Sequence, residues 1–175
     1  MKASLVEMAK IRLAVEEDFS EIWRIFQNVI AGENTYVNRH DTTKDEAYAK
    51  WMAKNVQTFV AEINDKIVGA YLIKPNQVDL GSHVANASYI VDTNTRGLGV
   101  GKSLALHSIA QAKTLGYRAM QFNFVVSANE PAVKLWRSVG FKIIGTIPKA
   151  FKHSTLGYVD AYVMFLELCS GDIPL

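Results

Sequence analysis

Residues 91–101 read Val91-Asp92-Thr93-Asn94-Thr95-Arg96-Gly97-Leu98-Gly99-Val100-Gly101, and this stretch decides the fold assignment. It joins a predicted strand, Val84 to Val91, to a predicted helix, Ser103 to Leu115. Free backbone N–H groups and the dipole at such a helix start favour a bound anion. The three glycines permit positive φ and leave room for a phosphate, and Arg96 adds a permanent cation. The stretch predicts an anion-binding turn, with a plain glycine-rich turn as the alternative.

Spacing excludes the two common nucleotide-binding glycine loops. A P-loop needs four residues between its first glycine and the Gly-Lys pair. Only three separate Gly97 from Gly101, and the required place is taken by Arg96. A dinucleotide fingerprint needs a glycine three positions after its second one, where this chain has Lys102. The loop therefore belongs to another class of phosphate site.

The segments on either side of the loop alternate between strand and helix patterns. Upstream we predict a strand at Ile11–Val15, a helix from residue 16 to about Gly32 and a second helix at Thr43–Ala53. A hairpin follows, with its strands at Thr58–Ile63 and Ile67–Ile73. Downstream we predict a strand, a short helix and two strands, at Tyr117–Val126, Pro131–Ser138, Phe141–Ile147 and Tyr158–Leu168. This order predicts an α/β domain around a mixed sheet. One domain is expected over residues 1–175, with its core at about 10–169.

Composition excludes several functional classes. Hydrophobic residues make up 49% and charged residues 21% of the 175 residues, which is typical of a soluble globular protein. The net charge of +2 gives no basic stripe for nucleic acid, so no nucleic-acid partner is expected. No apolar run reaches the roughly 18 residues of a membrane span, and the first ten residues do not resemble a signal peptide. We expect no membrane partner and a cytoplasmic location.

The cysteine and histidine residues of the sequence do not form a metal-binding pattern. The one cysteine, Cys169, excludes an intramolecular disulfide and a multi-cysteine zinc site. It follows an apolar run, so we expect a buried structural thiol. No two of the four histidines have metal-ligand spacing. We therefore expect no metal.

Two spaced motifs carry a family resemblance. The loop fits the pattern Arg-x-x-Gly-x-Gly, and Asn129-Glu130-Pro131-Ala132 leads into Leu135-Trp136 and Gly140-Phe141. In both, the chain resembles the GCN5-related N-acetyltransferase (GNAT) superfamily, which implies a mostly antiparallel sheet with flanking helices. The resemblance implies that the coenzyme A pyrophosphate binds at Arg96, Gly97, Leu98, Gly99, Val100 and Gly101. It also implies that Tyr89, Ile90 and Val91 line the acetyl and pantetheine end, and that Asn129 contacts coenzyme A.

A narrower resemblance concerns the acceptor. Residues 71–76, 82–87, 122–126 and 157–161 are similar to the fungal proline-analogue (azetidine-2-carboxylate) N-acetyltransferases. That branch implies that Asn86 and Asn123 hold an amino-acid substrate and polarise the acetyl group. A satisfied structural asparagine is the alternative at each position.

The expected acids and bases are replaced in this chain. Asn86 stands where many family members have a glutamate, and Trp136 stands where many have a tyrosine that protonates the thiolate. An amide is no useful general base, and an indole is a very poor acid. We therefore predict direct attack in a ternary complex, with proton loss through water.

The resemblance implies an acetyl-coenzyme A-dependent N-acetyltransferase without a metal cofactor. Its acceptor would be a small-molecule amine, favouring an amino acid or an analogue, and the family suggests a homodimer. Two alternatives stay open: a non-catalytic coenzyme A-binding sensor or scaffold, and a protein N-terminal or lysine acetyltransferase. Neither the acceptor nor the oligomeric state follows from the sequence.

Overall fold

A computed structural model describes residues 9–169, whose centre is one seven-stranded sheet. The strands are β1 Lys10–Leu13, β2 Gln57–Ile63, β3 Lys66–Pro75, β4 Val84–Val91, β5 Ala119–Val126, β6 Lys142–His153 and β7 Gly157–Glu167. The helices are α1 Phe19–Ile30, α2 Lys44–Trp51, α3 Val100–Thr114 and α4 Glu130–Ser138. Short 3-10 segments lie at Glu16–Asp18, Asp79–Gly81 and Thr93–Thr95. None of the helices in this part of the chain is long and apolar enough to cross a membrane.

The strand order is β1-β2-β3-β4-β5-β7-β6, and only the β4–β5 neighbours are parallel. The predicted mixed, mostly antiparallel α/β fold is therefore confirmed. The predicted hairpin between β2 and β3 is also present. Asn64 and Asp65 have φ values of 51° and 58°, the left-handed pair that a two-residue hairpin turn requires.

The sheet is covered on both faces by helices whose apolar residues recur at helical spacing. Helix α1 packs Ile22, Ile25, Phe26 and Ile30 against the face of β3 and β4 that carries Ala70, Leu72 and Ile90. Helix α3 packs Val100 and Leu104 against the opposite face, which carries Ala85, Ala87, Met120 and Phe122. Side chains alternate between the two faces of the sheet along each strand. Neighbouring residues of one strand therefore pack against different helices.

Several predicted element bounds differ from the structure by one to three residues, and three predictions need a physical explanation. Helix α3 begins at Val100, three residues before the predicted start, because Gly99 at φ 79° provides the turn into the helix. Strand β6 continues to His153, well past Ile147, because it stays paired with β7 through two register irregularities. The prediction for Cys169 was wrong: its side chain is exposed. It lies beyond the end of β7 at Glu167, where the alternation of the paired strand no longer applies.

Candidate functional site

The glycine loop leaves β4 and turns into α3 with its backbone open to solvent. Gly97 and Gly99 have φ values of 82° and 79°, a region that L side chains rarely adopt. A Cβ atom at either position would meet no atom within 4 Å, so the space beside the loop is empty. Arg96 is exposed at the start of the turn. The loop thus combines a cation, accessible peptide groups and unfilled space.

The start of α3 supplies the N–H donors of this site. The first intrahelical donor is Ser103, whose N–H bonds to the Gly99 carbonyl at 3.0 Å. The N–H groups of residues 100–102 precede it and have no carbonyl within the helix to bond. Lys102, on the exposed side of this first turn, adds a second cation that sequence reasoning did not assign. An anion placed here meets both the free donors and the positive end of the helix dipole.

Asp92 fixes the loop to the body of the protein. Its carboxylate accepts from the Asn94 backbone N–H at 3.0 Å and from Arg24 of α1 at 2.9 Å. The hydrogen bond from Asn94, and then the pairing with Arg24, lowers the pKa of Asp92 against the effect of its burial. Its own N–H donates to the Val68 carbonyl at 2.8 Å. Asp92 therefore ties the entrance of the loop to α1 through its buried side chain and to β3 through its backbone N–H.

We expect Asp92→Ala to lower the free energy of unfolding by about 1–2 kcal/mol, because a capping acceptor and a charge-assisted pair are both lost. Affinity for coenzyme A, the ligand that the family resemblance implies for this loop, should fall several-fold as well. Urea denaturation and calorimetry would measure the two effects. Asp92→Asn keeps an acceptor for Asn94 and should show a smaller loss; equal stability of wild type and Asp92→Ala would contradict the anchoring role.

Strands β4 and β5 are joined only at their beginnings. Their parallel pairing is limited to Val84 with Ala119 and Ala85 with Met120. The Asn86 side chain then donates to the Gln121 carbonyl at 2.9 Å, and no pairing follows beyond it. Both strands continue for several residues beyond their last pair, so their C-terminal halves are not joined by ladder hydrogen bonds, and we call the gap between them the cleft. Here the sheet offers unpaired backbone groups to a ligand.

Tyr89, Ile90 and Val91 lie on β4 beside this cleft, beyond its last pair with β5. The Tyr89 ring packs 4.7 Å from the Trp136 ring, and its hydroxyl bonds to Ser108, while the Ile90 side chain is buried under α1. The Asp92 N–H points to β3, and peptide groups alternate sides along a strand. The peptide groups of Tyr89 and Val91 therefore face the cleft. These three residues therefore offer a ligand mainly their backbone N–H and C=O groups.

Helix α4 closes the far side of the cleft. Asn129 caps this helix, accepting from the Ala132 N–H at 3.4 Å, and its residue remains partly exposed. Trp136 is buried against Tyr89 and Phe122, each at 4.7 Å between ring centroids. A Cβ atom at Gly101 would lie 3.5 Å from Leu135, so the start of α3 approaches α4 closely. The structure brings the loop, the β4 edge and the Asn129 motif to one cleft.

Amide side chains cluster on the α1–α2 face of the same cleft. The Asn123 side chain donates to Asn76 at 2.7 Å and accepts from Gln121 at 2.8 Å. Asn86, on the same face of β4, is held by the Gln121 carbonyl. Asn123 is exposed despite its mainly apolar strand, so it is available to a ligand. We call Asn76, Asn86, Gln121 and Asn123 the amide cluster.

The segment between α1 and α2 forms the other wall of this space. Asn34 contacts Ser154 at the tip of the β6–β7 hairpin, which closes one side. The buried hydroxyl of Tyr36 has no hydrogen-bond partner among the described residues. Burial raises the pKa of Tyr36, and the nearby Ser88 side chain and Tyr89 backbone oppose this shift, although neither is placed in good hydrogen-bond geometry with the hydroxyl. This hydroxyl is therefore aimed at the edge of β4 from the side of the amide cluster.

Several known proteins are similar to this chain in sequence. The sequence profile described as "Acetyltransferase (GNAT) family" matches residues 13–141. The N-acetyltransferase aca1 of Schizosaccharomyces pombe is 31% identical over 112 residues, 63% of this chain and 54% of that protein. The chain thus spans about half the length of that relative. The L-amino acid N-acetyltransferase AaaT of Escherichia coli is 29% identical over 157 residues, 88% of this chain and 94% of that one.

A solved structure shares the whole architecture. The GCN5-related N-acetyltransferase from Kribbella flavida superimposes with a TM-score of 0.89 at 38% sequence identity. The match covers 93% of this chain and 99% of the Kribbella protein.

Proposed function

The chain belongs to the acetyltransferase (GNAT) family, and we propose that it transfers the acetyl group of acetyl-coenzyme A to the amine of a small molecule, preferably an amino acid or an analogue. Acetyl-coenzyme A is the co-substrate. The observation that carries the proposal is the cleft between β4 and β5, which has the glycine loop at one end and the amide cluster on the α1–α2 face. The amino-acid relative AaaT supports the choice of acceptor.

In this proposal the cofactor binds along the cleft. The loop from Arg96 to Gly101 and the first turn of α3 hold the pyrophosphate, and Asn129 contacts the cofactor from α4. The pantetheine arm pairs with the β4 edge, which brings the thioester to the peptide groups of Tyr89 and Val91. A backbone N–H there polarises the thioester carbonyl without any ionisable group.

The acceptor enters from the opposite side. Its neutral amine attacks the carbonyl carbon, a C–N bond forms, the C–S bond breaks, and coenzyme A leaves as its thiolate. Water carries the amine proton away, because Asn86 is a poor base, and water also protonates the leaving thiolate, because Trp136 is a poor acid. Asn86 and Asn123 position the acceptor; the Asn86 NH₂ is already engaged with Gln121, so its oxygen is the group free to accept from the amine.

We expect Asn123→Ala to raise the KM for the acceptor about 10-fold, because a hydrogen-bond partner of the substrate is lost. Acetyl-coenzyme A affinity should hardly change, because Asn123 lies on the acceptor side of the sheet. Steady-state kinetics with varied acceptor, together with calorimetry for coenzyme A, would measure both. Exposed Asn55, in the turn before β2, gives the control Asn55→Ala. A loss of coenzyme A affinity in Asn123→Ala would contradict this assignment.

A turnover screen of amino acids, proline analogues, polyamines, aminoglycosides and peptides decides between the open functions. Thiol release that requires a small amine supports the proposed reaction. Coenzyme A binding without turnover would favour a sensor or scaffold, and peptide-only turnover would favour protein acetylation.

We further propose a homodimer and a cytoplasmic location. The β6–β7 hairpin exposes apolar side chains that a second copy could cover, namely Ile144, Ile147, Leu156 and Tyr158.

A further inference from the structure

Lys50 is a half-buried cation in the last turn of α2, on the wall opposite the amide cluster. Its ammonium lies 4.8 Å from the centre of the Tyr36 ring and 5.7 Å from that of Phe26. It donates one hydrogen bond, to the Asn38 side chain at 3.1 Å. Two of its three N–H donors are therefore free for another partner.

No carboxylate within residues 9–169 forms a salt bridge with Lys50. The nearby acids of the α1–α2 segment have other partners, since Glu33 contacts His40 and Asp41 contacts Arg39. The charge that acts on Lys50 is the positive one of Lys74. Burial, and then Lys74, lowers the pKa of Lys50 to about 8. A desolvated cation beside a like charge is unfavourable unless an anion joins them.

The two lysines lie beside the proposed acceptor position. Lys74 is the register partner of Asn86, so both side chains leave the same face of the sheet. Lys50 covers the ring of Tyr36, whose hydroxyl points to Ser88 and the Tyr89 peptide. Ser88 is two residues after Asn86 on the same face, about 7 Å along the strand. A molecule bound between Tyr36 and the amide cluster is therefore within reach of both ammonium groups.

We propose that Lys50 and Lys74 form an anion subsite that binds the carboxylate of the acceptor. The proposal rests on the proposed function and narrows its substrate class to amino acids with a free α-carboxylate. In such a molecule the carboxylate is one carbon away from the amine. When the amine of an amino acid points to the edge of β4, its carboxylate therefore lies on the side of Lys50 and Lys74.

The test compares the proteinogenic amino acids with their α-amides, at saturating acetyl-coenzyme A, in wild type, Lys50→Met and Lys74→Met. In wild type, kcat/KM for the α-amides should be at least about 10-fold below that of the acids, because a charge-assisted contact is absent. Each substitution should lower kcat/KM for the acids toward the amide value, through KM, and leave the amides unaffected. Lys44→Met is the matched control: Lys44 is also on α2, 5.9 Å from the Phe19 ring centre, and exposed.

Equal use of acids and α-amides by the wild type would overturn the subsite, as would a Lys50→Met variant that impairs both alike. If no amino acid or α-amide is acetylated, the proposed function has failed. The anion subsite is then tested separately by measuring the thermal stability of the protein with each compound. With coenzyme A bound, acids should then stabilise the wild type more than their α-amides do, and Lys50→Met should remove the difference. Absence of that difference would overturn the subsite as well.

Discussion

Gly99→Val should weaken coenzyme A binding strongly, to a dissociation constant at least about 100-fold above that of the wild type. Valine is strained at φ 79°, by roughly 1–2 kcal/mol. Relaxation of the strained backbone changes the direction of the peptide N–H groups at the start of α3. Several charge-assisted contacts to the pyrophosphate are therefore lost together. The side chain also fills space that is empty beside the loop. Calorimetric titration with coenzyme A would measure the effect.

Gly116 provides a matched control at the other end of α3. Its φ is 82°, and a Cβ atom there would also meet nothing within 4 Å. Gly116→Val should therefore show a similar loss of stability in urea denaturation while it keeps coenzyme A affinity. Addition of Arg96→Ala to Gly99→Val should leave no measurable binding. Normal affinity in a folded Gly99→Val variant would show that the loop is only a turn.

Lys50→Met is expected to make the unliganded protein more stable, by about 1 kcal/mol at neutral pH. The fall of the Lys50 pKa from 10.5 to about 8 corresponds to a penalty of roughly 3 kcal/mol for the charged form. Methionine keeps the apolar stem but loses the cation–π contact with Tyr36 and the hydrogen bond to Asn38, each worth about 1 kcal/mol. The net effect is a gain in the free energy of unfolding.

The pH dependence identifies the cause. Below pH 8 the lysine is protonated in both the folded and the unfolded chain, so the wild type carries the full penalty. Between pH 8 and 10.5 the folded state releases its proton first, so the unfolded state binds more protons and wild-type stability rises relative to the variant. The difference between wild type and Lys50→Met should therefore be largest near pH 7 and shrink toward pH 10.

Urea denaturation across this pH range would measure the effect, with Lys44→Met as the control. Lys44 is exposed, so its substitution should leave the free energy of unfolding nearly unchanged. A Lys50→Met variant less stable than the wild type at pH 7 would mean that an internal partner already compensates the ammonium. Higher stability of Lys50→Met together with a raised KM for amino acids would show that the Lys50 charge serves ligand binding at a cost in stability.

The sequence alone determined the glycine loop and the order of the elements around it. Both are local properties: the spacing of Arg96 and three glycines within six residues specifies a turn, and apolar periodicity specifies each helix and strand. Strand β4 was therefore predicted with the bounds that the structure gives it, Val84–Val91. The fold class followed from the order of elements. The Asn129 motif was readable for the same reason, because it caps the helix that follows it.

Only the tertiary structure decided how β4 and β5 meet, because strand pairing joins residues 35 positions apart and leaves no local pattern. The same holds for Lys50, which in sequence reads as one more solvated charge on a polar helix. Its burial depends on rings from α1 and the following loop, and its neighbour Lys74 comes from β3. Cys169 shows the reverse case: its apolar neighbours predicted burial, and the end of β7 left it exposed. Local spacing thus predicted the glycine loop, and packing between distant segments brought Lys50, Tyr36 and Lys74 together.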